Sequence, residues 1–246
     1  MTRPIMEPTT LVKGIERRLF LRQAVSVGAL ALLTGCDITD QDEVQAILRV
    51  MSRWNDRAQA FLFRRDVLAP TYPESKVVKN FRYNAFFPPS DAPKLSAADY
   101  RLELSGLIAD KRPWTVADLH ALPQQSQITR HVCVEGWSMI GKWGGARLGD
   151  FLQRVGADLT AKYVGFQCAD GYYTSIDMAT ALHPQTIMAV TFADETLPQI
   201  YGYPFKVRVP TKLGFKNPKW VTTIYVTNRF PGGFWADRGY NWFSGS

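Results

Sequence analysis

Two segments of the sequence concentrate residues that can bind a metal or an anion. Segment 130–145 contains Cys133 followed by several glycines, which suits a loop whose backbone approaches a bulky ligand. A cysteine thiolate is a soft ligand for thiophilic metals. Segment 206–219 places five bases within fourteen residues, enough positive charge to bind a phosphate group. These bases are Lys206, Arg208, Lys212, Lys216 and Lys219.

Both segments also have purely structural interpretations. Cys133 can be a small buried side chain or half of a disulfide with Cys168, and on spacing alone this interpretation is the stronger one. The bases can form a solvated strand face, because in strand 205–209 the apolar residues point to one side while Lys206 and Arg208 point to the other. The residues alone leave these alternatives open.

Several common sites are absent from the sequence. It contains no phosphate-binding P-loop, no dinucleotide-binding glycine turn, no zinc-binding histidine pair and no serine nucleophile elbow. There is no C-x-x-C-H motif, so we expect no haem in this chain. Formal net charge is +7, but five bases and two acids lie in the first 35 residues, which leaves 24 bases against 20 acids. This balance and the lack of any nucleic-acid-binding motif predict no nucleic-acid partner.

The candidate residues lie in a stretch with mixed helix and strand patterns. Segment 100–104 alternates as a half-buried strand, Thr115 caps a short helix to Leu122, and a second helix runs from about Leu148 to Val155. Further strands are expected at 163–168, 187–192, 205–209 and 220–227. Because helices and strands do not alternate strictly, the pattern favours an α+β domain with a mixed sheet.

An amphipathic helix precedes this domain. Residues 41–65 carry apolar side chains at near-helical spacing with arginines between them, and prolines end the segment. We expect the apolar stripe to pack on the main domain, which is the commoner use of such a stripe.

The N-terminus resembles a twin-arginine export signal. Arg17 and Arg18 precede an uncharged run, 24–34, that is too short to cross a bilayer as a helix. Cys36 ends a segment that resembles a lipoprotein processing box. We therefore predict an export signal at 1–35, an N-terminal helix and linker at 36–79, and an oxidoreductase domain at 80–246. The resemblance implies a periplasmic location, with a lipid anchor on Cys36 at the inner membrane as a further expectation.

Two motifs resemble those of the sulfite oxidase-like molybdopterin enzymes. The first is Cys-Val-Glu-Gly-Trp-Ser at 133–138, followed by Trp-Gly-Gly at 143–145. The second and more distinctive one extends from 201 to 220. Within this family the chain is most similar to the branch of periplasmic methionine sulfoxide reductases. The resemblance covers 80–246 and implies a single molybdopterin-binding domain without the C-terminal dimerisation domain of animal and plant sulfite oxidases.

The family resemblance implies that Cys133 is both the metal ligand and the catalytic cysteine. Molybdenum is thiophilic, and one protein thiolate completes the sulfur set offered by the pterin. Matching the family's cofactor contacts to this sequence gives three positions where the residue type departs from the family: Cys168 for threonine, Tyr201 for asparagine and Lys206 for arginine. Lys206 retains the charge but cannot bind phosphate in a bidentate way. The complete set of implied contacts is Asn84, Phe87, Pro88, Cys168, Tyr201, Lys206, Asn217, Pro218 and Lys219.

Three functions are compatible with the sequence. The first is a reductase that removes oxygen from small-molecule or protein sulfoxides, or from N-oxides, in a two-electron reaction. Its electrons would come from a membrane b-type haem or quinol-oxidising subunit or from a soluble cytochrome, and the chain would be a monomeric catalytic subunit. The second is a sulfite dehydrogenase. The third is a non-catalytic exported binding module with a Cys133–Cys168 disulfide.

Overall fold

The computed structural model describes residues 42–246. The export signal and the lipidation site at Cys36 lie outside the described residues, so those expectations stay predictions. The chain divides into two compact units, Met1–Met51 and Ser52–Ser246. Within residues 42–246 no helix combines the length and the apolar character needed to cross a bilayer.

Helix α1, Asp42–Leu62, forms where the amphipathic pattern predicts it. Polar residues in its second half bind the C-terminal segment of the unit 52–246: Asp56 accepts a hydrogen bond from the backbone N–H of Phe243 (2.6 Å), and Gln59 donates to Asn241 (3.3 Å). Trp54 and Phe61 are 70% and 88% exposed. For residues 52–62, the expectation that the apolar stripe packs on the main domain is therefore wrong, because Trp54 and Phe61 are exposed while Asp56 and Gln59 make the contacts.

The remaining elements are short. The helices are α2 (Val116–Ala121), α3 (Leu148–Arg154) and α4 (Met178–Ala181). The strands are β1 (Glu103–Gly106), β2 (Gln124–Val132), β3 (Ser138–Arg147), β4 (Tyr163–Cys168), β5 (Tyr173–Asp177), β6 (Ile187–Phe192), β7 (Glu195–Thr196), β8 (Lys206–Arg208) and β9 (Val221–Thr227). A capping box begins α2, in which Thr115 accepts from the Asp118 N–H and Asp118 accepts from the Thr115 N–H, as the sequence predicts.

The strands form two sheets. One has the order β1-β9-β4-β5, with β1 and β9 parallel and the other pairs antiparallel. The other has the order β2-β3-β6-β7, and β8 pairs with β6. This arrangement confirms the predicted α+β class with a mixed sheet.

A large apolar core joins the sheets to α2 and α3. Its centre includes Leu102, Leu119, Phe151, Phe166 and Ile224, which are at most 1% exposed. A smaller aromatic core lies beside β3 and β6. Its buried members are Phe81, Trp143, Ile187, Ala189, Phe192 and Leu197.

The main difference from the sequence-based expectation concerns segment 124–147. We expected glycines in a loop around Cys133, but 124–132 and 138–147 are the paired strands of a hairpin. Gly144 and Gly145 lie in β3, where an added Cβ at Gly145 would come within 2.1 Å of the Met188 carbonyl oxygen. These glycines therefore permit close strand packing, and only Gly136, with φ of 86°, belongs to the loop.

Candidate active site

Cys133 lies in the five-residue loop that joins β2 to β3. The loop is closed by a hydrogen bond from the Cys133 N–H to the Trp137 carbonyl (2.9 Å), and the Gly136 N–H donates to the Cys133 carbonyl (3.2 Å). Trp137 also donates through its indole N–H to Glu135 (2.8 Å). These contacts, together with the long β2–β3 ladder, hold the thiol at a defined position on the rim of a pocket.

The pocket is formed by the Cys133–Glu135 loop and by four other parts of the chain. Asn84, Ala85 and Phe86 come from the segment before β1, and Asp170 and Tyr172 come from the turn between β4 and β5. The remaining wall comes from the loop after β8 and from the C-terminal segment, and consists of Gly214, Phe215, Asn217, Pro218, Lys219 and Trp235. The pocket is therefore assembled only when the two sheets come together.

Glycine is required at Gly214 in the pocket wall and at Gly202, which lies against the pocket residue Lys219. An added Cβ at Gly214 would lie 2.5 Å from Nε2 of His131, so glycine lets this loop pass close to β2. Gly202 has a φ of 116°, and its added Cβ would lie 2.8 Å from the Cβ of Lys219. This close approach places Lys219, whose ammonium group donates to the Asn84 carbonyl (2.9 Å).

Buried bases lie next to this pocket: Lys219 lines it, and Arg208 contacts the lining residue Asn217. Arg208 is completely buried and donates to the side chains of Asn217 (2.8 Å) and Thr129 (3.2 Å) and to the carbonyl of Arg130 (2.7 Å). Lys206 is also buried, and its ammonium group lies 4.7 Å from the centre of the Trp143 ring. The interpretation of Lys206 and Arg208 as part of a solvated strand face is therefore wrong, since both faces of β8 are buried.

These bases have no acidic partner within salt-bridge distance among the described residues. Desolvation is the main cause that lowers the pKa of Lys206 well below its ordinary value, with Lys219 and Arg208 adding repulsion. Burial also lowers the pKa of Arg208 to about 9 and that of Lys219 to about 8. Nε of Arg208 and Nδ1 of His131 are buried without a hydrogen-bond partner.

Uncompensated buried cations are costly unless an anion joins them. The donor set at Lys206, Arg208 and Lys219 therefore fits the phosphate group of a pterin cofactor. The same pocket is also lined by the thiol of Cys133. A ligand with an anionic end and a thiophilic metal matches both features.

Lys212 and Lys216 belong to a different part of the molecule. Lys212 lies 3.9 Å from Asp177, and Lys216 donates to the carbonyl of Ser175 (2.9 Å). Both ammonium groups lie over aromatic rings, of Phe243 and Trp242 respectively. The interpretation of all five bases as one phosphate site is therefore too broad, because the structure divides them into two groups.

The structure brings together five of the ten residues implied by the family resemblance. The pocket is lined by Asn84, Cys133, Asn217, Pro218 and Lys219.

The other five residues do not line the pocket. Cys168 ends β4 and is 7% exposed within the main core. Phe87 packs against Trp220, and Pro88 is exposed. Tyr201 donates to the carbonyl of Phe81 (2.7 Å) in the smaller core. Lys206 lies behind the pocket in the buried group of bases.

Several pocket residues were not predicted from the sequence. Asp170 and Tyr172 follow the end of β4, where a turn at Gly171 is the only sequence signal. Nothing in the sequence selects Phe86 or Trp235 from the many aromatic residues around them.

Both cysteines within residues 42–246, Cys133 and Cys168, are free thiols. The structure therefore does not contain the Cys133–Cys168 disulfide of the binding-module alternative. Desolvation raises the pKa of the Cys133 thiol, while backbone N–H groups of Glu135 and Val134 act in the opposite direction. Burial raises the pKa of Cys168 further.

The buried lysines predict a pH dependence of stability. Burial lowers the pKa of Lys212 and Lys216 to about 7 and that of Lys219 to about 8, so between pH 7 and 8 the folded cofactor-free chain releases protons that the unfolded chain keeps. The free energy of unfolding should therefore rise over this window, by up to about 1.4 kcal/mol per pH unit for each lysine that titrates. Urea unfolding at pH 7.0 and 8.0 measures the change.

The matched variant for this measurement is Lys216→Met, which should show a smaller rise because one titrating group is removed. Stability that is flat or falls between pH 7 and 8 in the unsubstituted chain would contradict the prediction. Above pH 8 the cysteines of the unfolded chain begin to ionise, which lowers the free energy of unfolding as pH rises. The comparison therefore stops at pH 8.

Comparison with known proteins gives relatives over most of the chain. Residues 89–235 match the family described as "Oxidoreductase molybdopterin binding domain". The chain is 56% identical over 230 residues to the putative protein-methionine-sulfoxide reductase subunit YedZ1 of Azospira oryzae, an alignment that covers 94% of this chain and 88% of that protein. It is 34% identical over 182 residues to mitochondrial sulfite oxidase of Drosophila melanogaster, covering 63% of this chain and 32% of the relative.

A solved structure has the same fold in part. The sulfane dehydrogenase SoxCD of Paracoccus pantotrophus superimposes with a TM-score of 0.53 at 22% sequence identity, over 56% of this chain and 40% of that one. At this identity the likeness concerns the fold, which is the mixed two-sheet arrangement described above.

Proposed function

The chain belongs to the family of oxidoreductases with a molybdopterin-binding domain, and from this membership we propose that it reduces sulfoxides at a molybdenum centre bound through Cys133. It is a molybdenum-dependent oxidoreductase that acts by oxygen-atom transfer on sulfur-group substrates. The observation that carries the proposal is the position of Cys133 in a pocket that Lys219 also lines, with the buried bases Arg208 and Lys206 nearby and without salt-bridge partners in the described chain.

Two groups of residues would hold the cofactor. Lys206, Arg208 and Lys219 supply the positive charge that a phosphate group needs, and the thiolate of Cys133 supplies the soft ligand. Once bound, the molybdenum–pterin group supplies a metal that accepts or donates an oxygen atom and two electrons. Asn217 also fixes the guanidinium of Arg208 through a hydrogen bond of 2.8 Å, so this asparagine positions the anion site.

The pocket walls suit a small sulfoxide or a methionine sulfoxide side chain. Phe86, Phe215 and Trp235 give it apolar surfaces that would exclude water and contact the methyl and methylene groups. Removal of one oxygen from a sulfoxide consumes two electrons and two protons and releases a thioether and water. Asp170 is the carboxyl group whose pKa is raised by burial in this wall, so it is suited to hold a proton near the bound oxygen.

A comparison of substrates on one metal-loaded preparation tests the direction of the reaction. We expect kcat/KM for methionine sulfoxide or a simple S-oxide, with an artificial low-potential donor, to exceed that for sulfite with an artificial acceptor. An N-oxide is included as a third reducible substrate. Sulfite oxidation faster than every reduction by tenfold, about 1.4 kcal/mol in transition-state stabilisation, would favour a sulfite dehydrogenase instead. The similarity to Drosophila sulfite oxidase makes this the second candidate.

Export through the twin-arginine route is part of the same proposal. It is supported by the Arg17-Arg18 pair and by the need to insert the cofactor before transport. Replacement of both arginines by lysine should leave an unprocessed, cofactor-containing precursor in the cytoplasm, as measured by cell fractionation and immunoblotting. Normal periplasmic accumulation of this variant would contradict the export route.

We further propose a periplasmic catalytic subunit that receives electrons from a membrane b-type haem or quinol-oxidising subunit or from a soluble cytochrome. In this proposal Lys206, Arg208 and Lys219 bind the cofactor and do not form a surface for the electron-transfer partner. A lipid anchor at Cys36 would keep the subunit close to a membrane donor.

A further inference from the structure

The unit 52–246 carries an outward-facing apolar surface on the second half of helix α1 and the segment that follows it. Trp54, Phe61 and Leu62 are 70%, 88% and 74% exposed, and Val67 and Leu68 are each 56% exposed. We call these five residues the apolar strip. Leu62, Val67 and Leu68 also line one shallow depression, so the helix and the following segment form a continuous surface.

The orientation of this helix is the reverse of the usual one. Residues seven apart in a helix lie roughly 20° from each other around its axis, so Trp54 and Phe61 project from one side. Asp56 and Gln59 lie roughly 140–200° away and make the hydrogen bonds that hold the helix to the C-terminal segment. An amphipathic helix that packs through its polar side leaves its apolar side free to contact an apolar surface outside the chain.

Positive charge borders the apolar strip. Arg53 and Arg57 lie on one flank of the helix and, with Arg65 and Lys162, line a groove of about 810 Å³. The groove has apolar walls that include Met178, Phe230 and Trp242, and its two acidic residues are Asp56 and Asp177. Within residues 42–246, none of the four bases takes part in a salt bridge.

We propose that the apolar strip and its flanking bases form a docking surface for an anionic lipid bilayer. Apolar and aromatic side chains on one side of a helix, with arginines at its border, are the arrangement by which helices lie in the interface of a membrane. The bases would contact lipid phosphate groups while Trp54 and Phe61 enter the region between headgroups and acyl chains. This surface is separate from the pocket at Cys133 and does not depend on the proposed reaction.

Vesicle flotation of the full-length chain tests the proposal. The chain carries Cys36→Ser so that no acyl chain contributes, and the vesicles contain either phosphatidylcholine alone or phosphatidylcholine with phosphatidylglycerol. We expect stronger binding to the anionic vesicles and a loss of at least about tenfold in partitioning for Phe61→Glu. The matched control is Leu107→Glu, which adds the same charge at a 41% exposed apolar residue elsewhere and should bind as before.

The charge contribution is measured with a second pair of variants. Arg53→Gln/Arg57→Gln should reduce binding to anionic vesicles by about fivefold per arginine at low ionic strength. Lys111→Gln/Arg154→Gln, which removes the same charge from exposed residues elsewhere, should reduce it less than twofold. An unchanged urea-unfolding midpoint of the Phe61→Glu variant shows that the fold is intact.

Two results would overturn the proposal. One is vesicle binding by the parent chain that Phe61→Glu leaves unchanged, since binding would then come from residues other than the apolar strip. The other is an absence of vesicle binding, whether or not light scattering shows a self-association that Phe61→Glu abolishes. In that second case a protein surface, either another copy of this chain or a different partner, would be the occupant.

Discussion

Replacement of Cys133 by alanine is expected to lower kcat/KM for sulfoxide reduction by about a thousandfold or more. The thiolate is the one soft protein ligand that the pocket offers, and removal of a group that holds a reactive metal affects the transition state directly. The variant should still bind the pterin, because the buried bases that fit its phosphate are unchanged. Metal and pterin content, measured beside steady-state kinetics, separate loss of chemistry from loss of cofactor.

The matched control is Cys168→Ala. Like Cys133, this cysteine is a free thiol, and it is buried in the main core at the end of β4. Its replacement should therefore lower the free energy of unfolding but change metal content and kcat/KM by no more than a few fold. Full activity of Cys133→Ala would contradict the assignment of Cys133 as the metal ligand. Equal inactivation by both replacements would indicate a role shared by the two sulfurs.

Lys206→Met is expected to change stability and cofactor binding in opposite directions. Without cofactor, the ammonium group is buried with no acidic partner in the described chain, so its replacement by an apolar side chain of similar length should stabilise the protein by about 1–4 kcal/mol. With cofactor, the same replacement removes a cation from the anion site and should lower pterin affinity more than tenfold. Methionine can keep the contact with the Trp143 ring.

Urea unfolding of cofactor-free protein and fluorescence of the released pterin measure the two effects. Lys212→Met is the matched control, because it removes a buried lysine that lies 3.9 Å from Asp177 and outside the proposed anion site. It should leave pterin content unchanged and stabilise the protein less, since Asp177 loses a cationic neighbour. A Lys206→Met protein that is less stable without cofactor, or that retains all its pterin, would contradict an anion site at Lys206.

Local patterns in the sequence determined much of the fold. The boundaries of α1, of the capped helix α2 and of strands β4 and β6 follow from helical or strand spacing and from capping residues, which act over a few positions. The hairpin β2–β3 was missed because its glycines also suit a loop. Their role in close packing depends on β6, which is distant in sequence.

The sequence by itself also determined the metal-binding candidate and half of its surroundings. Cys133 and Lys219 could be assigned because the two family motifs that contain them are local, and Asn84 was assigned from a separate match near the start of the domain. The tertiary structure decided which bases act together, since burial and the nearest charges separate Lys206 from Lys212. It also decided that Trp54 and Phe61, in the second half of α1, face outward. Hydropathy identifies an apolar face, but hydrogen bonds to residues about 185 positions away, such as that between Asp56 and Phe243, decide where that face points.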